Sequence, residues 1–160
     1  MTTLRVTHWT AAHPEACWAL MADFGNIDFF NPHLQESYLL EGSPTCGLGT
    51  ERQCNLKDGK NYIKEKVVAW TEGSSYTVDI YDGTMPVRDM LTTLGLQPKA
   101  GGTELYMQTQ YQPKFGIAGK VMDRLILRRM MRGMMLNVIE GLGEKACAAC
   151  PLVVTDTREI

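Results

Sequence analysis

The segment TERQCNLKDGKNYIKEKV, residues 50–67, contains an arginine and a glutamate that could act together on a ligand. It reads as two strands joined at Asp58-Gly59, a dipeptide typical of two-residue type I′ hairpins. In that register Arg52 lies directly opposite Glu65, and the apolar pair Cys54 and Ile63 lies on the same face of the hairpin. The sequence therefore predicts an ion pair on the side of the sheet that faces the core.

Such an inward-facing ion pair has a structural and a functional interpretation. Facing charges on a sheet contribute at most about 1 kcal/mol, whereas burial costs several kcal/mol per ion. Stability is therefore a poor reason for the pair. In the functional interpretation Glu65 orients Arg52, whose five N–H donors exceed what one carboxylate can accept. Arg52 would then offer donors to a carbonyl, carboxylate or phenolate of a ligand, and both interpretations stay open.

A second hairpin extends the inward-facing surface. A turn at Glu72-Gly73 predicts that Val67 faces Val78, Glu65 faces Ile80, Ala69 faces Tyr76 and Trp70 faces Ser75. The resulting inner surface is mostly apolar with a few polar groups, which suits a small hydrophobic molecule with one polar end. The predicted binding residues are Phe30, Arg52, Cys54, Ile63, Glu65, Val67, Tyr76, Val78, Met90, Thr92, Met107, Thr109, Tyr111, Met131 and Met134.

The order of elements predicts an α+β fold. An edge strand at 4–10 precedes a helix that begins at Pro14 and a short turn or helix at 26–30, and a long helix spans about 117–149. Six further strands lie between the short helices and the long helix, centred on 38–40 and spanning 50–56, 62–70, 76–81, 87–96 and 103–111. The economical arrangement is a curved antiparallel sheet of about seven strands wrapped around the C-terminal helix.

The long helix carries two apolar groups that cannot share one face. Leu127, Met131, Met134, Val138 and Leu142 form one stripe, whereas Val121, Met122 and Leu125 fall on the opposite side. The helix therefore bends or restarts near Ile126, or its first turns pack on a lid or a partner. This makes the region Val121–Leu125 a candidate homodimer interface. Basic residues beside methionines at 124–135 also suit a membrane-surface helix, but we favour methionines that pack on the cavity and arginines that face solvent.

Composition narrows the class of protein. The chain has 160 residues and a net charge of −2, which gives no argument for a nucleic-acid partner. Its apolar runs fall short of the roughly 18 residues of a membrane-spanning helix, so stable membrane insertion is not expected. Five cysteines without a secretion signal indicate reduced thiols in the cytoplasm. We expect a single domain over residues 4–150 and a C-terminal tail at 151–160.

Metal, redox and other cofactor chemistry are not expected. His8, His13 and His33 lack cysteine or carboxylate partners at the spacing of metal ligands. Cys147 and Cys150 have redox spacing, but they end a helix, where the dipole opposes a thiolate. We therefore predict no metal and no cofactor.

Several segments in the same order resemble one protein family. HPEACWALMADFGNIDFFNPHLQ (13–35), GLGTERQCNLKDG (47–59), KEKVVAWTEG (64–73), PVRDMLTTLGLQPKAGGTELYMQTQY (86–111) and VIEGLGEK (138–145) are similar to the polyketide cyclase/dehydrase branch of the START-like superfamily (SRPBCC). The resemblance covers residues 4–146 and implies the helix-grip fold. Phe30 departs from the tryptophan that is common before the Asn-Pro pair, which removes an indole N–H donor.

The superfamily contains lipid carriers, hormone receptors and cyclases, so the resemblance allows two functions. The first is binding of a small hydrophobic or aromatic molecule, lipid-like or polyketide-like, in an enclosed cavity. The alternative is a polyketide cyclase, aromatase or dehydratase in which Arg52 polarises a carbonyl and Tyr76 or Glu65 accepts a proton. Glu65 matched to an arginine should stay ionised and be a weak base. That argument favours binding.

Overall fold

Seven antiparallel strands form one sheet in the computed structural model, which describes residues 1–149. The strands are β1 (Thr2–Thr10), β2 (Leu34–Leu39), β3 (Glu51–Leu56), β4 (Tyr62–Thr71), β5 (Ser75–Gly83), β6 (Val87–Lys99) and β7 (Gly102–Pro113). Their order in the sheet is β1-β7-β6-β5-β4-β3-β2, so the first strand is an edge strand, as predicted. Cys150 and the predicted tail at 151–160 lie outside the described residues.

Two short helices follow β1, and one long helix ends the described chain. They are α1 (Pro14–Ala22), a 3₁₀ helix (Phe24–Phe29) and a C-terminal helix made of α2 (Gly116–Met122), a π-helical turn (Asp123–Leu127) and α3 (Arg128–Ala149). The helix α3 packs against β1, β7 and α1. The curved sheet around a long C-terminal helix confirms the predicted helix-grip fold. Within residues 1–149, no helix is both long and apolar enough to cross a membrane.

The hairpin of β3 and β4 has the predicted register but a different turn. Arg52 pairs with Glu65 and Cys54 with Ile63. The N–H of Leu56 donates to the carbonyl oxygen of Asn61 at 2.9 Å, so four residues form the loop. Gly59 has a φ of +72°, whereas Asp58 keeps a negative φ. The two-residue type I′ turn was therefore wrong, but the register survives because the longer loop has the same centre.

The hairpin of β4 and β5 departs from the prediction near its turn. Val67 faces Val78 and Glu65 faces Ile80, as expected. A β-bulge at Val68 then adds one residue to β4, so Trp70 faces Tyr76, and Ala69 faces Thr77. The predicted pairs of Ala69 with Tyr76 and Trp70 with Ser75 were wrong for this reason. The shift stacks the ring of Trp70 on that of Tyr76, with centroids 5.7 Å apart.

The π-helical turn at Asp123–Leu127 confirms the break predicted near Ile126. A π turn holds more residues than an α turn, so it changes which side chains face the sheet. From the last residue of the turn onward, Leu127, Met131 and Met135 are buried. Before it, Val121 and Met122 are exposed. The two apolar groups therefore stay on different sides of the helix.

Asp123 anchors the π-helical turn to the sheet. Its carboxylate is 1% exposed and accepts hydrogen bonds from Thr2 Oγ1 at 2.9 Å, from Arg128 Nε at 3.0 Å and from the Tyr111 hydroxyl. Burial would raise the pKa of Asp123, but the hydrogen bonds from Tyr111, Arg128 and Thr2 outweigh it and hold the pKa below its ordinary value. The buried carboxylate thus links the start of the long helix to β1 and β7.

We expect this anchor to make stability depend on pH. Because the folded carboxyl has the lower pKa, its contribution is present above about pH 4 and is lost as the pH falls through the folded value. The free energy of unfolding of the wild type should exceed that of Asp123→Asn most at neutral pH, and the difference should shrink below about pH 4. Urea denaturation at several pH values measures this difference in the free energy of unfolding. The control is Asp89→Asn, because Asp89 is exposed. A difference that stays constant with pH would contradict this role.

Candidate functional site

A cavity of about 110 Å³ lies between the inner face of the sheet and α3. Most of its lining is apolar and comes from β3 to β7, the 3₁₀ helix and α3. The apolar residues are Ile27, Leu34, Cys54, Leu56, Ile63, Val78, Ile80, Met85, Met90, Leu94, Met107, Met131, Met134, Met135 and Val138. The polar residues are Asn31, His33, Arg52, Glu65, Tyr76 and Thr92.

Methionines form an unusually large part of this lining. Six of the ten methionines of the chain contact the cavity, from β6, β7, α3 and the loop before β6. Methionine has three rotatable bonds and a polarisable sulfur, so it adapts to ligands of different shape better than branched side chains do. The wall of the cavity can therefore change shape at modest energetic cost.

Arg52 is the centre of the polar end of the cavity. Its side chain is 2% exposed, and its Nε donates to Glu65 Oε2 at 2.5 Å. Its Nη1 donates to the carbonyl oxygen of Phe24 at 2.8 Å, and its Cζ lies 3.7 Å from the centroid of the Phe24 ring. These two hydrogen bonds use two of the five guanidinium N–H donors. The arginine thus ties the 3₁₀ helix to the sheet while it lines the cavity.

The protonation of the cluster is set by burial and by the ion pair. Burial alone would lower the pKa of Arg52, but the Glu65 carboxylate outweighs it and raises the pKa. Burial raises the pKa of the Cys54 thiol, whose Sγ lies 3.7 Å from Glu65 Oε2, so the thiol stays protonated at neutral pH. Burial also raises the pKa of Tyr76, although Arg52 opposes this, so the phenol is protonated too. The polar end therefore offers N–H and O–H donors beside one carboxylate, to which the Cys54 thiol already donates.

Most of the predicted binding residues come together in this cavity. Eleven of the fifteen line it: Arg52, Cys54, Ile63, Glu65, Tyr76, Val78, Met90, Thr92, Met107, Met131 and Met134. Their alternation along the strands and their helical spacing are the signals that located them. Whether they contact a ligand stays a prediction.

The structure places the other four predicted residues outside the lining, and each has another role. Phe30 belongs to the main core, where its carbonyl oxygen packs against α3 at Gly141. Val67 is buried in the same core. Thr109 exchanges a hydrogen bond of 2.8 Å with Thr92. Tyr111 lies in a second core cluster and donates to Asp123.

The ten other lining residues are absent from the predicted binding set, and four of them illustrate why. Ile80 and Leu94 had a clear signal, because their strand parity points inward with that of Val78 and Met90. Asn31 and His33 follow an irregular turn, where no periodicity indicates direction. His33 Nε2 lies 3.1 Å from Asn137 Nδ2, and burial together with Lys57 lowers the pKa of this histidine. His33 is therefore a neutral side chain at the edge of the cavity at pH 7.

The volume of the cavity restricts what it can hold in this conformation. An apolar protein cavity of about 150 Å³ admits benzene, whereas pockets for drug-sized ligands measure about 300–1,000 Å³. A cavity of about 110 Å³ is smaller than this, so it holds at most one small ring, and a ring enters only if the methionine side chains shift. A larger ligand requires the methionines to move apart.

Residues 1–146 match the model of the family described as polyketide cyclase/dehydrase and lipid transport. Among curated proteins, no significant match was found. The agreement with the family model extends over both the sheet and the C-terminal helix. It therefore includes every residue that lines the cavity.

Solved structures show the same fold at low sequence identity. XoxI from Bacillus cereus is 18% identical with a TM-score of 0.75, over 93% of this chain and 98% of that chain. A protein from Thermobifida fusca is 20% identical with a TM-score of 0.71, over 92% and 95% of the two chains. Ara h 8.0201 is 16% identical with a TM-score of 0.67, over 92% and 98%. At such identities the likeness establishes the helix-grip fold.

Proposed function

Because the chain belongs to the polyketide cyclase/dehydrase and lipid transport family, we propose that it binds one small hydrophobic or aromatic molecule in its cavity, with a polar group of the ligand at Arg52. The observation that carries this proposal is a buried Arg–Glu pair in a mostly apolar, methionine-rich cavity. Burial of the pair without a ligand costs stability that apolar side chains would not. The cytoplasmic location inferred from the cysteines is part of the same proposal.

The ligand that fits best carries a ring and a hydrogen-bond acceptor. One small ring is the most that the cavity holds once the methionine side chains shift, and a carbonyl, phenol or carboxylate oxygen can accept from Arg52 or Tyr76. A charged ligand would have to leave water, so a neutral carbonyl is the less costly acceptor. Thr92, with its hydroxyl already bonded to Thr109, adds a weaker polar contact.

The chemistry of the cluster favours binding over catalysis. The raised pKa keeps the Tyr76 phenol protonated at neutral pH, so it can donate a hydrogen bond but is a poor proton acceptor. Glu65 Oε2 accepts from Arg52 Nε at 2.5 Å and from the Cys54 thiol at 3.7 Å, so this carboxylate is already engaged in contacts within the protein. An enzyme of the cyclase or dehydratase type would need a base that is free to accept a proton. Mass spectrometry and NMR of a ligand recovered after incubation distinguish the two, since binding returns both its mass and its bonding unchanged, whereas a dehydratase removes water and a cyclase changes the bonding at constant mass.

Filling the cavity should abolish ligand binding. Met107 lines the cavity from β7, and tryptophan at this position would occupy most of a space of about 110 Å³. Titration of 4-fluoroacetophenone followed by ¹⁹F NMR should show one site in the wild type, and at least roughly tenfold weaker binding to Met107→Trp. The matched control is Leu91→Trp, on the neighbouring strand but exposed on the outer face. Equal binding to wild type and Met107→Trp would overturn the proposed site, provided that circular dichroism shows both folded.

A further inference from the structure

The first half of the C-terminal helix exposes many large apolar side chains. Seven large apolar side chains between residues 115 and 130 are exposed: Phe115, Ile117, Val121, Met122, Leu125, Ile126 and Met130. Ile117 is 82% exposed and Leu125 is 71% exposed. Single exposed apolar residues are ordinary on soluble proteins, whereas such a cluster marks a surface that contacts something else.

The same segment is strongly basic. Residues 114–132 contain six basic side chains, Lys114, Lys120, Arg124, Arg128, Arg129 and Arg132, and one acidic side chain, Asp123. Asp123 is buried and pairs with Arg128, whose Nε donates to it at 3.0 Å, so the other five basic side chains have no acidic neighbour within this segment. The segment carries a net charge of +5 in a chain with a net charge of −2, so the remaining residues carry −7. The basic charge is therefore concentrated on this one surface.

Apolar and basic side chains form two neighbouring rows along the helix. Ile117, Val121 and Leu125 recur every four residues, and so do Lys120, Arg124 and Arg128. Residues four apart lie on the same side of a helix, so a row of apolar side chains runs beside a row of basic ones. A shallow cleft brings Arg88 of β6 next to Ile117 and Lys120, which extends the basic rim onto the sheet.

We propose that this helical surface, residues 114–132, docks the protein on an anionic lipid membrane. Apolar side chains flanked by lysine and arginine are what an interfacial helix needs, because the former enter the acyl boundary and the latter meet lipid phosphates. A symmetric dimer through the same surface would place like charges opposite each other, which is unfavourable. Charge complementarity therefore favours an anionic bilayer over a second copy.

The docking surface adjoins one end of the cavity. Lys114 Nζ donates to the carbonyl oxygen of Met85 at 3.1 Å, and Met85 lines the cavity. Met131 and Met134 also line it, and they follow the exposed segment within the same helix. Docking would bring the part of the cavity that is lined by Met85, Met131 and Met134 close to the bilayer. The docking itself does not depend on the proposed ligand, so the two proposals can fail separately.

Vesicle sedimentation with the full chain tests the docking. We expect binding to vesicles of phosphatidylcholine with about one third phosphatidylglycerol, little binding to phosphatidylcholine alone, and weaker binding at high salt. Leu125→Glu should weaken binding by at least roughly tenfold. Leu48→Glu is the matched control, since Leu48 is 67% exposed on a loop outside this surface, and it should bind like the wild type. Circular dichroism checks that both variants fold.

A second variant reports the contact without removing an apolar side chain. The fluorescence of Leu125→Trp should shift to the blue on anionic vesicles, and that of Leu48→Trp should not shift beyond the change in wild type. Failure to bind anionic vesicles at low salt, or an equal loss in Leu48→Glu, would overturn the proposal. A concentration-dependent dimer that Leu125→Glu breaks, without vesicle binding, would overturn it in favour of contact between two copies.

Discussion

Replacing Arg52 with leucine should lower the free energy of unfolding by roughly 3–5 kcal/mol, because it leaves the Glu65 carboxylate buried without its partner. Arg52 and Glu65 are 2% and 5% exposed, so water cannot replace the lost contact. The carbonyl oxygen of Phe24 also loses the donor that ties the 3₁₀ helix to β3. Urea denaturation of both proteins measures the change.

The double variant Arg52→Leu/Glu65→Leu should recover most of this stability, since no charge then remains buried. The recovery should be incomplete because the Phe24 carbonyl stays without its donor. The control is Lys66→Leu, which breaks the pair of Lys66 with Glu51 on the outer face of the same hairpin. That pair is largely solvated, so its loss should cost about 1 kcal/mol or less. A loss of unfolding free energy in Arg52→Leu as small as in the control would mean that the buried ion pair does not contribute to the stability of the fold.

A single methyl group added at Gly141 should destabilise the protein, although alanine normally stabilises a helix relative to glycine by about 1 kcal/mol. A Cβ at this position would lie 2.2 Å from the carbonyl oxygen of Phe30. That oxygen belongs to the backbone and cannot rotate away, so α3 and the turn after the 3₁₀ helix must separate. Overpacking of this kind costs typically 1–3 kcal/mol, and we expect the upper part of that range for Gly141→Ala.

Gly133 in the same helix provides the matched comparison. A Cβ there meets no atom within 4 Å. Gly133→Ala should therefore stabilise the helix as alanine ordinarily does, and raise the melting temperature. The two alanine variants should therefore change the melting temperature in opposite directions. A shift in the same direction for both would show that α3 does not approach the Phe30 turn as closely as described. The comparison matters for function because Asn31 and His33, in that turn, line the cavity.

Local turn chemistry and strand parity made most of the fold and of the cavity predictable. Asp58 and Gly59 set the centre of the hairpin, and that was enough to place Arg52 opposite Glu65 even though the turn type was wrong. Apolar spacing likewise located the break in the long helix, because two apolar groups could not share one face. These features depend on residues that are close in sequence.

The features that sequence reasoning missed depend on contacts between distant residues. The bulge at Val68 changes a register without a glycine or proline to indicate it. The contact of Arg52 with the Phe24 carbonyl joins residues 28 positions apart. The hydrogen bond from Tyr111 to Asp123 gives a structural role to a residue that was predicted to bind the ligand. The apolar spacing along the helix placed Val121 and Leu125 on a different face from the core stripe. Only the packing of the folded chain shows that this face is exposed to solvent.

The affinity of the Arg52→Leu/Glu65→Leu variant for 4-fluoroacetophenone, measured by ¹⁹F NMR titration beside the wild type, tests the central claim most directly. Because this variant should be nearly as stable as the wild type, a loss of binding cannot be ascribed to unfolding. The account predicts one bound molecule per chain in the wild type and at least roughly tenfold weaker binding in the double variant, since Arg52, the main donor to the ligand oxygen, is gone and only Tyr76 remains. Binding of equal affinity in both proteins would show that the pair is structural and that the ligand is held elsewhere.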